Sequence, residues 1–190
     1  VRGHCVEVLL ETDGRELLLT PVPEDFRHDV ASLSSDRDGN LWLGRTEGRL
    51  GILRGGSRFE RHQLPIGTIR AIRQSEDGTI WIGGDKGLTR VRNGQIESLE
   101  AAQGLPIQVK SVVDDHDSAL WVGFGSGIGR IEKAEIERAL ADKAYSVRYR
   151  LFNTADGAAG IPVADGGSTA VRADDGRLWF ATSAGVTVID

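Results

Sequence analysis

An all-β fold of repeated four-stranded antiparallel sheets is predicted by three features of the sequence. First, one short phrase occurs four times: Asp38-Gly39-Asn40-Leu41-Trp42-Leu43-Gly44, Asp77-Gly78-Thr79-Ile80-Trp81-Ile82-Gly83, Asp117-Ser118-Ala119-Leu120-Trp121-Val122-Gly123 and Asp175-Gly176-Arg177-Leu178-Trp179-Phe180-Ala181. Second, every tryptophan lies in a copy, and their spacings are 39 (42 to 81), 40 (81 to 121) and 58 (121 to 179). Third, 25 glycines among 190 residues and a hydrophobic content of 39% suit a fold rich in turns. A period near forty residues built on short strands and tight turns is the pattern of β-propeller blades. About four blades are expected, as part of a larger propeller.

Each phrase explains itself locally. Asp-Gly and its relatives favour positive φ, which predicts a two-residue hairpin turn. An apolar run follows each turn: 41–43, 80–82, 120–122 and 178–180. Apolar residues on both parities predict a strand buried on both faces, as in a sheet sandwiched between two others. A Trp buries about 150–250 Å², so Trp42, Trp81, Trp121 and Trp179 are expected to be the structural core of the sheet-to-sheet contacts. The small residue that closes each phrase (Gly44, Gly83, Gly123, Ala181) leaves room for close approach of a neighbouring backbone.

Taken in order, 5–10 and 16–22 read as two strands of a partial blade within 1–24. The first whole repeat, about 25–67, has strands at 30–34, 41–44, 49–53 and 58–63. The second, about 68–106, has strands at 69–73, 80–83, 88–92 and 95–99, and Asn93-Gly94 is a strong hairpin signal. The third, about 107–168, begins alike with 109–114, 120–123 and 128–131. It then departs: Ile136 and Leu140 four apart among charges predict a short amphipathic helix at about 132–144. An outer strand is expected at 145–152. The last repeat, 169–190, is incomplete, with strands at 170–173, 178–182 and 186–189.

Lys and Arg number 23 against 28 Asp and Glu, for a net charge of −5. No basic run stands out, so no nucleic-acid partner is expected. The single Cys5 cannot form an internal disulfide framework, and no stretch approaches the eighteen apolar residues of a membrane span. The sequence begins at Val1 and contains no Met, so it reads as a mature or excised piece.

At the tryptophan phrases the chain resembles the two-component regulator propeller repeat. The run Val30-Ala31-Ser32-Leu33-Ser34-Ser35-Asp36-Arg37-Asp38-Gly39-Asn40-Leu41-Trp42-Leu43-Gly44 carries the likeness, and Ile80-Trp81-Ile82-Gly83 with Gly87-Leu88 repeats it. The third repeat departs from the pattern at its turn, with Ser118 for glycine. The resemblance implies a periplasmic sensor segment of a membrane-bound signalling protein. Its downstream domain is expected to be a histidine kinase or a diguanylate cyclase. Its partners would be an unidentified small molecule or protein, the downstream signalling domain and, through blade edges, other copies of itself. Contact with the membrane would run only through segments outside this sequence.

No catalytic constellation accompanies these features, so the segment itself is expected not to be an enzyme and to need no cofactor. The acidic turns 36–39 and 114–117 lack the spaced oxygen ligands of a calcium loop. His4, His28, His62 and His116 show no metal-ligand spacing, and no metal site is expected. Gly123-Phe124-Gly125-Ser126-Gly127 sits between strands rather than before a helix, unlike a phosphate loop. Cys5 is expected to be a buried structural thiol. A lyase of the virginiamycin type and a passive assembly module are the alternatives. For a bound ligand, the loops gathered on one face of a propeller are the natural place. His28, Arg45, Asp85 and Lys86 are the polar members expected there.

Overall fold

The computed structural model describes residues 22–26, 28–115, 119–164 and 168–190. The strands expected at 5–10 and 16–21, Cys5, His4, His116 and Ser118 lie outside the described residues. Within them are fifteen strands in four antiparallel sheets. The first holds β1 (Val30–Ser35), β2 (Leu41–Arg45), β3 (Arg49–Arg54) and β4 (Arg58–Gln63), paired in that order. The second repeats this with β5 (Ile69–Gln74), β6 (Ile80–Gly84), β7 (Gly87–Arg92) and β8 (Gln95–Glu100). The third holds β9 (Ser111–Asp114), β10 (Ala119–Phe124), β11 (Gly127–Glu132) and, after α1 (Lys133–Ala141), β12 (Arg150–Phe152). The fourth holds β13 (Ala170–Arg172), β14 (Leu178–Thr182) and β15 (Gly185–Ile189). These are propeller blades, and the first strands β1, β5, β9 and β13 pack side by side around an axis.

Strand alternation decides what each blade buries. Trp42 faces forward to join Ile69, Ile80 and Ile82 of the second sheet in one apolar cluster. Trp81 faces forward to Val109, Val112, Leu120 and Val122 of the third. Trp121 faces forward to Ala170, Leu178 and Phe180 of the fourth. The residues between point back: Leu41 and Leu43 meet Val22 and Phe26 on the other side of the first sheet. The three indoles are 2%, 4% and 7% exposed. At about 25 cal/mol per Å², each contributes up to about 4–6 kcal/mol to its interface. Trp179 departs from the expected pattern and is only half-buried, because no sheet among the described residues covers its forward face. Val171, Val186 and Val188 on that sheet are exposed.

The glycines closing the phrases act as expected. A Cβ on Gly44 would stand 2.3 Å from Ile69 Cγ2, and one on Gly83 would stand 2.2 Å from Val109 Cγ1. The next blade's side chain fills the space that a larger residue would take.

Two local expectations change. The phrase does not make a two-residue turn. Asp36 N–H donates to Asn40 O at 3.0 Å and Gly39 N–H to Asp36 O at 3.1 Å, closing a longer loop in which Gly39 has φ +75°. The second and fourth repeats copy it through Ser75–Thr79 and Ala173–Arg177. Asn93-Gly94 does form the two-residue turn, with both φ values positive. The outer strand expected at 145–152 shrinks to Arg150–Phe152. The start of that segment bonds elsewhere: Val147 N–H donates to Gln103 O at 2.8 Å, and Tyr145 Oη donates to Glu135 of α1 at 2.8 Å. The helix itself runs nine residues and buries Ile136 and Ala139.

Candidate functional site

The four loop residues expected at a ligand site do not share a cavity. Arg45 ends β2 and is 3% exposed. Its guanidinium lies over the Phe26 ring at 5.1 Å, donates to the Asp25 carbonyl and pairs with Asp29 at 3.5 Å. It therefore clamps the entry segment onto the first sheet. Asp85 is held by Arg70 through two hydrogen bonds, one of 3.2 Å. Lys86 is exposed beside it, and its backbone N–H donates to Ile66 O at 2.8 Å. His28 is exposed before β1. None of the four lines either axial cavity.

The cavities lie along the axis instead. A chamber of ≈ 80 Å³ is walled by the first strands of all four blades and the residues just before them. Its polar lining comprises Arg70, Arg73 and Lys110 with Ser32, Ser34, Ser111, Ser168 and Thr169. Arg70 and Lys110 occupy corresponding places, each preceding the small residue (Ala71, Ser111) that pairs with a phrase glycine. In β5 that place is a bulge, which re-aims the side chain. Among the described residues, no carboxylate lines this chamber.

A second cavity of ≈ 310 Å³ opens at the end of the axis where the first strands turn into the second, away from the expected loops. Arg73 lines both cavities. Here Arg37 and Arg172 are engaged by protein groups. Arg37 Nη1 donates to Glu76 O at 2.7 Å, its backbone N–H donates to Gln74 Oε1 at 2.8 Å, and Arg172 pairs with the Glu76 carboxylate. Arg172 also reaches Asp114 O at 3.4 Å. Four blades are thus clasped across the mouth.

An acid-to-indole bond, absent from the sequence reading, organises two of the blades. Asp36 accepts from Trp42 Nε1 at 2.9 Å, from the Asn40 side chain and backbone at 2.8 Å each, and from Asp38 N–H at 3.0 Å. Asp115 accepts from Trp121 Nε1 at 3.0 Å and Ala119 N–H at 2.8 Å. Burial works to raise the Asp36 pKa, but the bonds from Asn40, Trp42 and the backbone outweigh it and hold the carboxyl below its ordinary value. The signal was an Asp six residues before Trp. The second repeat has Ser75 there, and both Ser75 Oγ and Trp81 Nε1 are buried with no hydrogen-bond partner among the described residues.

Among the described residues, no three His, Cys, Asp or Glu side chains gather as a metal-holding group, and no helix is long and apolar enough to cross a membrane.

With the propeller blades established, comparison with known proteins adds the repeat's identity. Residues 63–86 match the two component regulator propeller, which spans the end of the first blade and the phrase of the second. No curated protein sequence matches the chain. Among solved structures, the extracellular domain of BT3049, a proposed hybrid two component system of B. thetaiotaomicron, superposes with a TM-score of 0.70 at 16% identity, over 93% of this chain and 24% of its own. The extracellular domain of BT4673, of the same description and organism, gives 0.58 at 18% identity over 95% and 22%. Virginiamycin B lyase from Staphylococcus aureus gives 0.59 at 21% identity over 90% and 58%. These likenesses are of fold. The chain spans about a quarter of the length of the two bacterial extracellular domains.

Proposed function

We propose that this chain is a sensory propeller segment of a membrane-bound signalling protein of the two-component kind. It lies outside the cytoplasm, binds a small molecule or protein, and passes that event through blade packing to a downstream kinase or cyclase domain. The observation that carries this reading is the regulator propeller repeat at 63–86, set within four blades that repeat its phrase. The fold shared with extracellular domains of such systems supports it. A separate apolar cluster bridges each pair of neighbouring blades, which suits relay by packing.

The test is the compartment of the segment in the natural full-length protein. With an epitope in an exposed turn such as Gly55-Gly56, protease added to intact spheroplasts is expected to remove the epitope. Removal only after lysis would contradict the reading. The fold likeness to virginiamycin B lyase favours a second reading, a propeller enzyme. A stoichiometric metal in the purified protein would move the balance to that reading.

A further inference from the structure

We propose that the axial chamber is a binding site for a small carboxylate anion, with Arg73 and Lys110 as its principal contacts. The inference deepens the sensory reading, on which it rests for biological meaning, by naming the ligand class.

The argument begins with where the charges are satisfied. The chain is acidic, at −5, and most of its described arginines, eleven in all, sit against a carboxylate, Arg90 and Arg172 among them. The chamber breaks this pattern. Of its three cations only Arg70 has a carboxylate partner among the described residues, Asp85. Arg73 and Lys110 are half-buried and make no ion pair among the described residues. Bringing like charges together in a partly desolvated space costs free energy unless an anion offsets it.

Four of the hydroxyls are engaged or shut away. Ser32 donates to Ile69 O at 3.1 Å, Ser168 to Ala170 O at 3.0 Å and Thr169 to Lys110 O at 3.4 Å. Ser111 Oγ, in a residue 3% exposed, is buried. The free donors are thus the cations, and a guanidinium fork and an ammonium are donors that carboxylate oxygens accept. The neighbouring cavity at the mouth does not share this character, because Glu76, Asp114 and Asp174 line it beside its arginines. The remaining lining of the chamber (Leu33, Ala71, Ile72, Val112) is apolar, which fits a short carbon skeleton between carboxylates.

The purified chain is titrated by calorimetry at low ionic strength, where screening is weak, with succinate, with its neutral isostere succinamide and with inorganic phosphate. Succinate is expected to bind and to raise the thermal midpoint, and succinamide to do neither. Arg73→Gln and Lys110→Gln are each expected to weaken succinate binding by about tenfold or more, and Arg73→Lys by less. Arg92→Gln, on an exposed residue of β7, is expected to leave it unchanged. Without ligand, Arg73→Gln is expected to melt at or above the parent temperature, since it removes like-charge repulsion and no bond. If either Gln variant fails to fold, the other and Arg73→Lys still decide the matter. Equal binding of succinate and succinamide, binding of phosphate alone, no binding at all, or a succinate affinity untouched by both chamber variants overturns the proposal. Failure here is separable from failure of the sensory reading. A segment reached by external protease that ignores succinate sinks only the chamber, and a cytoplasmic segment that binds succinate sinks only the sensor.

Discussion

The first and second blades place their tryptophans at the same register and depth, yet hold them differently. Trp42 is bonded through its indole N–H to Asp36, whose carboxylate also gathers the Asn40 amide and two backbone N–H groups of the turn. Trp81 is as deeply buried, but Ser75 is too short to reach it, and hydroxyl and indole are both left without a partner among the described residues. The turn backbone is the same in both, with N–H donation across it of 3.0 Å and 2.8 Å. The apolar phrase and the turn therefore suffice to set the sheet, while the acid adds a lock between turn and blade interface.

That contrast can be broken from the side of the first blade. Asp36→Ala strands the indole N–H, the Asn40 amide and two backbone donors, and is expected to cost about 3 kcal/mol in urea unfolding. The same change at Ser75 removes a hydroxyl that bonds nothing, and is expected to stay within about 0.5 kcal/mol of the parent. Acid sharpens the comparison. The folded pKa of Asp36 lies below its unfolded value of about 3.9. Its contribution is therefore fully present above that value and is lost as pH falls through the lower, folded one. Asp36→Asn is expected to flatten the fall in stability as pH drops below about 4, read as the urea midpoint against pH. The second blade can then be given the lock. Ser75→Asp, with the carboxylate placed as in the first blade, is expected to gain about 1 kcal/mol near neutral pH and to lose that gain in acid. The fourth blade offers a comparison of tryptophans. Trp179→Phe is expected to cost under about 1 kcal/mol, against about 2 kcal/mol or more for Trp42→Phe, because only the latter loses a bonded, fully buried indole.

Much of this architecture was legible because it is written in short-range pattern. The four phrases located strands β2, β6, β10 and β14, and Ile136 and Leu140 located the helix. Residues whose role depends on another blade were not legible. Arg45 reads as a polar loop residue, yet Phe26 and Asp25, twenty positions earlier, take it out of solvent. The 145–152 segment alternates like a strand, but Gln103 and the helix capture its first half. Arg73 lies on one first strand and Lys110 just before another, and these meet only around the axis, so nothing near them in sequence shows that they share a chamber. A cation at the place just before the small residue of two successive first strands was the available sign. The turn was misjudged because Asp38-Gly39 suggests two positive φ values, whereas only Gly39 adopts one.

Indole hydrogen exchange, followed by NMR on ¹⁵N-labelled protein, bears most directly on the claim that each phrase drives its tryptophan into the face of the next blade. The expected order of protection is Trp42 and Trp121 highest, buried and bonded to acids, then Trp81, buried without a partner, and Trp179 lowest by a wide margin. Four indoles exchanging at one rate, or Trp179 as the best protected, would contradict it.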